Sequence, residues 1–262
     1  MLKTRLIPVL LLKNGLLVRS ETFSVHQVIG NPYYEVKRFN EWNVDELVYL
    51  DITQDDRYDI GRDDHKTKDM GGPLAILEAV SKTCFMPLTW GGRIRSTEDM
   101  RAVFNAGADK VAINSQAFRE PELITRGAAI FGNQAMVVSI DARREEDGRH
   151  QVYIDGGRTA TGVEATEWAR RAEAHGAGEI LLQSLDRDGT GRGYDLDLVR
   201  AVAEATTIPV IACSGVGRFE QYKHGVEAGA AAVAAANIWH FKELADRQGK
   251  RALARAGVNV RL

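Results

Sequence analysis

Eight short apolar runs, each followed by a segment of helical length and pattern, set the tightest limit on how this chain can fold. The runs are Arg5–Leu12, Leu47–Thr53, Pro87–Trp90, Lys110–Ile113, Met136–Asp141, Ile180–Leu185, Pro209–Cys213 and Ala232–Ala236. They are apolar without alternation, as strands buried on both faces should be. Between them the spacing predicts helices such as Pro32–Trp42, Pro73–Thr83, Thr97–Asn105, Glu164–His175, Leu196–Glu204 and Phe219–Ala228. Ser96 followed by Asp99 predicts a capping box for one of them. Eight βα units in 262 residues predict an α/β fold closed into one domain, a single (β/α)8 barrel over residues 1–262. An open doubly wound sheet would want a glycine fingerprint after the first strand, and none is present.

A faint repeat divides the barrel. Glu46-Leu47-Val48 matches Glu179-Ile180-Leu181, Gly92 matches Gly215, and Asn114 matches Asn237; the last two pairs lie 123 residues apart and the first 133. Two half-barrels follow, about 1–132 and 133–262, the first with about ten extra residues between Glu46 and Gly92. The polar stretch Gln54–Lys66 is the obvious place for them. Following the second strand, it belongs to the mouth of the barrel, as a solvated loop, a lid or a partner contact.

The start of the chain, Lys3-Thr4-Arg5 and then apolar to Leu12, has the outline of a secretory leader. It lacks a small-residue cleavage site and is too short to span a bilayer. It reads as the first buried strand, closed by the turn Lys13-Asn14-Gly15. A formal net charge of −2 leaves no basic field for nucleic acid or an anionic membrane. Cys84 and Cys213 follow no metal spacing and read as reduced thiols of a cytoplasmic protein. The six histidines are scattered without ligand spacing, so no metal and no cofactor are expected.

In such barrels chemistry sits where strands end. That face carries Asp51, Gly91-Gly92-Arg93, Asn114-Ser115, Asp141, Asp186-Arg187-Asp188-Gly189-Thr190, Ser214-Gly215-Val216-Gly217 and Asn237. The two glycine loops fall in equivalent places in the two halves. Each is either a tight turn or a backbone cradle for phosphate. As a pair they suit a ligand with a phosphate at each end, with Gly92, Arg93, Asn114, Ser115, Asp188, Gly189, Gly215 and Asn237 as the candidate contacts. Asp141 ends an apolar strand, where a carboxylate has a raised pKa and can trade protons near neutrality, or serves as a structural acceptor.

These residues also resemble the cyclase subunit of imidazole glycerol phosphate synthase along nearly the whole chain. The closest stretches are residues 45–53, 107–114 and 176–182, the Asp186-Arg187-Asp188-Gly189-Thr190 loop and the Gly257-Val258-Asn259-Val260-Arg261 tail. The resemblance implies a glutaminase partner subunit whose ammonia crosses the barrel to a bisphosphorylated substrate, which is cyclised and cleaved with two aspartates as acid and base. It assigns one of these to Asp141. The other should open the pattern Asp-Val-Lys-Asp-Gly, where this chain reads Leu11-Leu12-Lys13-Asn14-Gly15. Leu11 stands in the place of the catalytic aspartate. Arg93 replaces a phosphate-contacting glycine of the family, and Asn237 a serine.

The resemblance further assigns Arg5, Glu46, Lys110 and Glu179 to a charged ammonia gate at the N-terminal mouth, and Asp109 to the glutaminase contact. Kept gate residues with altered chemistry at the far face look like a divergent branch of the family. That branch stands beside a glutaminase and an ATP-dependent sugar amidotransferase in bacterial surface-polysaccharide pathways. There ammonia turns an acetamido group on a nucleotide-linked sugar into an acetamidino group. The alternative is an active cyclase of histidine biosynthesis with a relocated acid, such as Asp51 or a residue of the extra loop.

Overall fold

The computed structural model describes residues 3–42, 44–54 and 72–262. Twelve strands are present among them. In chain order they are β1 Arg5–Lys13, β2 Leu16–Glu21, β3 Val25–Gly30, β4 Leu47–Asp51, β5 Leu88–Gly91, β6 Lys110–Ile113, β7 Met136–Arg144, β8 His150–Ile154, β9 Thr159–Glu164, β10 Glu179–Ser184, β11 Val210–Cys213 and β12 Ala232–Ala235. Eight of these form the barrel. The parallel order runs β10-β11-β12-β1-β4-β5-β6-β7, and β10 pairs back onto β7 to close it.

Alternation along each barrel strand sorts side chains into two cores. Ile7, Val9, Leu11, Val48, Leu50, Ala112, Val137, Leu181, Ile211, Ala232 and Ala234 fill the interior. Leu6, Leu10, Leu12, Leu47, Tyr49 and Trp90 point outward into the larger core beneath the helices. These helices are α1 Pro32–Trp42, α2 Pro73–Ser81, α3 Thr97–Asn105, α4 Ser115–Arg119, α5 Glu122–Phe131, α6 Ala165–Ala174, α7 Leu196–Ala205, α8 Tyr222–Glu227, α9 Ile238–Phe241 and α10 Ala245–Arg255. Ser96 caps α3 as its spacing predicts: its side chain accepts from the Asp99 N–H, and Asp99 reaches back to the Ser96 N–H.

Two antiparallel hairpins depart from the sequence reading. Lys13-Asn14-Gly15 does not end the first strand's sheet run; it reverses it. Lys13 pairs with Leu16 across Asn14 (φ 51°) and Gly15 (φ 76°), the two left-handed positions of a type I′ turn. Likewise β7 does not stop at Asp141 but runs to Arg144 and returns as β8 and β9. The hairpins follow the first strand of each half, so each half-barrel begins with a long strand and an antiparallel flap. Both flaps were hidden because their outer strands, β3 and β9, are largely exposed or half-buried. Of the stretch Gln54–Lys66, only Gln54 lies within the described residues.

Candidate functional site

At the N-terminal mouth, four strand-start side chains meet. Arg5 Nη1 lies 2.6 Å from Glu46 Oε1 and 2.9 Å from Glu179 Oε1. Lys110 Nζ lies 2.9 Å from Glu179 Oε2 and 3.5 Å from Glu46 Oε1. Charges therefore alternate around a ring, and each cation bridges both carboxylates. Burial alone would lower the Arg5 pKa, yet the two glutamates together raise it. That balance is what a partly buried ring needs, since an unpaired member would bear a desolvation cost of several kcal/mol. Beside the ring, Asp45 accepts from the Leu6 N–H and from Lys250 Nζ, tying the β4 entrance to α10. Asp109 is exposed on the same face, where its Oδ2 accepts from the Leu88 N–H.

At the opposite end the strands open into a cavity of about 570 Å³ lined by both glycine loops, Leu11, Asp51, Asp141 and Asp188. Asp141 is pinned by its neighbours: Gln183 Nε2 donates to its Oδ1 at 3.0 Å, and Asn114 adds a side-chain bond. Burial nevertheless lifts it to about 7, and the charge of Asp188 pushes the same way. A carboxyl so placed exchanges a proton near neutrality. Leu11 is 8 % exposed on the same mouth, packed among apolar residues that include Leu50 and Val18. It offers nothing that titrates.

The two glycine loops share one device. A Cβ at Gly92 would sit 2.2 Å from the Asp51 carbonyl oxygen, and one at Gly215 would sit 2.3 Å from that of Gly193. In the first half the glycine packs against the end of the preceding barrel strand, and in the second against the loop that follows it. Around them the halves differ. Arg93, at φ 58°, turns its Nε to within 3.2 Å of the fully buried Asp51 carboxylate. Ser115 accepts from the Asp155 N–H at 2.8 Å and lies 3.2 Å from Asn114 Oδ1. Arg119 grips Asp155 with two 2.7 Å bonds, so the β8–β9 turn is hooked over the first-half loop.

In the second half, Asp188 enters as a clasp. Its Oδ2 accepts from the Ser20 hydroxyl at 2.6 Å and the Phe23 N–H at 3.2 Å, while its own N–H is used by the Ser184 carbonyl. Asp188 therefore holds the β2–β3 turn across the mouth. Burial also raises its pKa, against the Ser20 and Phe23 bonds. Gly189 fits beneath this turn, where a Cβ would meet the Ser20 carbonyl oxygen at 2.4 Å. Asn237 Nδ2 donates to the same carbonyl at 2.8 Å.

Among the described residues no group of three or more His, Cys, Asp or Glu side chains could hold a metal ion, and no helix is long and apolar enough to cross a membrane. Both cysteines are free thiols.

Comparison with known proteins decides the family. A model of histidine biosynthesis proteins matches residues 5–245. The imidazole glycerol phosphate synthase subunit HisF of Gluconacetobacter diazotrophicus is 43 % identical over 264 residues, covering all of this chain and 97 % of its own. That of Hyphomonas neptunium is 47 % identical over 265 residues, covering all of this chain and 99 % of its own. The chain belongs to the HisF family.

Some site residues of this HisF-family chain escape sequence reasoning. Gln183 had a signal: two residues beyond the inward Leu181, it faces the axis beside Asp141. Ser20, Phe23, Arg119 and Asp155 had none, because each acts through a contact that only the folded flaps create.

Proposed function

We propose that this barrel receives ammonia from a glutaminase partner at the charged ring, conducts it along the apolar interior, and delivers it to a phosphate-bearing ligand in the C-terminal mouth. The carrying observation is the ring itself: four alternating charges closed over an interior lined by Ile7, Val9, Val48, Val137, Leu181 and Ile211. Neutral ammonia crosses such an interior cheaply, whereas ammonium would have to shed its hydration. The distances also favour an opening move. Lys110 is the looser cation, and when it swings away Arg5 still bridges both glutamates. Asp109, exposed beside the ring, is suited to the glutaminase contact of a heterodimer.

At the mouth, Asp141 is the proton-transfer group, able to donate or accept near pH 7. A cyclisation that needs an acid and a base finds leucine at the second position. Losing a positioned proton-transfer group costs about 10²–10⁴ in rate. The chemistry we assign is therefore one in which delivered ammonia suffices: amidination of a nucleotide-linked sugar in the cytoplasm. An ATP-dependent amidotransferase activates the acetamido oxygen, and ammonia displaces it.

The second reading, an active cyclase of histidine biosynthesis, is favoured by the HisF relatives and by Asp141 itself. Asp188, buried with a raised pKa, would then supply the missing proton. Supplying free ammonium salt with the histidine-pathway intermediate separates the two readings. We expect turnover at least about a hundredfold below that of an ordinary HisF, and a rise of tenfold or more in Leu11→Asp. Turnover within about tenfold of an ordinary HisF would overturn our reading in favour of the cyclase.

A further inference from the structure

Ser214, the first residue after β11, does three things that the fold does not require. It holds φ at 81°, in the left-handed region that a residue with a Cβ adopts only when its surroundings enforce it. Its side chain lines the C-terminal mouth while only 6 % of the residue is exposed. And among the described residues no oxygen or nitrogen partners its hydroxyl, whose one side-chain hydrogen bond goes to the thiol of Cys213. A buried hydroxyl left with only a sulfur partner is uncommon in a native protein and wants an explanation. The polar group beside it is the thiol of Cys213, a weak acceptor, which burial keeps protonated by pushing it up to about 12.

A turn alone does not account for this choice. Glycine would take the same φ without strain, and position 215 is itself a glycine. Serine here exchanges backbone ease for a hydroxyl facing the cavity. The adjoining loop repeats the pattern. Asn237 must present its amide nitrogen to the Ser20 carbonyl, which leaves its Oδ1 buried and unpaired. The second-half loops beside Gly215 thus keep one donor spent only on a thiol and one unused acceptor, where the first-half loops have spent their polar groups on Asp51 and Asp155.

We infer that Ser214 is a ligand-binding residue that donates its hydroxyl hydrogen to a phosphate oxygen of a phosphorylated polyol or sugar, with Asn237 Oδ1 accepting from a hydroxyl of the same ligand. The inference rests on the reading of the mouth as a phosphate site and assigns to Ser214 what the glycine cradle cannot give, a side-chain hydrogen bond. The strain at φ 81° is the cost of holding that hydroxyl in place.

Calorimetric titration with glycerol 3-phosphate, alongside thermal melting, tests it in the full-length chain. Ser214→Gly should melt higher than the parent, because the strain is gone, and yet bind about tenfold or more weaker, the scale of one hydrogen bond to a charged oxygen. Ser214→Ala should lose the same affinity without the gain in melting temperature. A structural role could not raise stability and lower affinity together. If the parent binds and Ser214→Gly binds equally well, the role of Ser214 is wrong and the phosphate reading stands. If the parent itself shows no saturable binding of glycerol 3-phosphate, the phosphate reading and this inference fail together, while ammonia conduction is left to its own test.

Discussion

Replacing Asp141 by asparagine should make the protein more stable, and increasingly so as pH rises. An ordinary aspartate titrates near 3.8, and burial lifts Asp141 to about 7. Between these values the folded chain holds a proton that the unfolded chain has released. Stability therefore falls with rising pH across the window, and above it the whole penalty of a buried carboxylate is present. At 1.36 kcal/mol per pH unit, about three units give a ceiling of about 4 kcal/mol. Asparagine keeps the oxygen that Gln183 Nε2 donates to and never ionises. Asp188, whose pKa is also raised, remains in both proteins, and its charge is part of what lifts Asp141. Unfolding in urea or by heat, measured from pH 5 to 8.5, should show Asp141→Asn gaining on the parent as pH rises. The gain in melting temperature should reach about 5 °C or more at pH 8.5. Parallel curves, or a parent that gains on the variant with rising pH, would refute a carboxylate held at about 7 by burial.

Gly215→Ala should cost about 2–4 kcal/mol on denaturation, because its Cβ would meet the Gly193 carbonyl at 2.3 Å and φ is 91°; a loss under about 0.5 kcal/mol would mean that the loop yields easily. Crystals grown with sulfate should show the anion at Gly215 rather than at Gly92 in the parent, and at both in Arg93→Gly; an anion only at Gly92 in the parent would reverse the ranking of the two loops. Leu11→Asp should lower stability at pH 8 by about 1–3 kcal/mol, since it places a carboxyl among Leu50 and Val18, and unchanged stability there would mean that water already reaches Leu11.

Much of the barrel was legible because its strands are buried on both faces, so Leu6 through Leu12 reads as strand without any knowledge of its partners. The inward and outward sorting of Ile7 and Leu6 follows from the pleat alone. The charged ring was legible for a related reason: Arg5, Lys110 and Glu179 each begin a strand and Glu46 immediately precedes one, and strand starts share one rim of a closed barrel. Leu11 and Asp141 were legible as mouth residues because both lie near strand ends.

The flaps were not legible. Val25 through Gly30 and Thr159 through Glu164 are largely exposed or half-buried, so no apolar rhythm marks them, and only Asn14-Gly15 hinted at a reversal. Everything that depends on them was hidden in turn. Asp188 reads as a phosphate-loop residue, and the bonds it accepts from the Ser20 hydroxyl and the Phe23 N–H, both far away in sequence, could not be read from the chain. The bond that Ser115 accepts from the Asp155 N–H was hidden in the same way. Ser214 stayed unremarked as a side chain because its left-handed φ is a property of the folded turn.

Ammonia conduction is tested most directly by isotope competition in the assembled complex. The barrel, a glutaminase subunit and the sugar amidotransferase would be supplied with glutamine labelled with ¹⁵N in its amide, against an excess of unlabelled ammonium. The account predicts product nitrogen drawn almost wholly from glutamine in the parent. In Lys110→Ala, where one cation of the ring is gone and the mouth is open to water, it predicts strong dilution of the label while glutamine hydrolysis continues. Parent product carrying the isotope ratio of the bulk ammonium, or a Lys110→Ala complex as fully labelled as the parent, would contradict it.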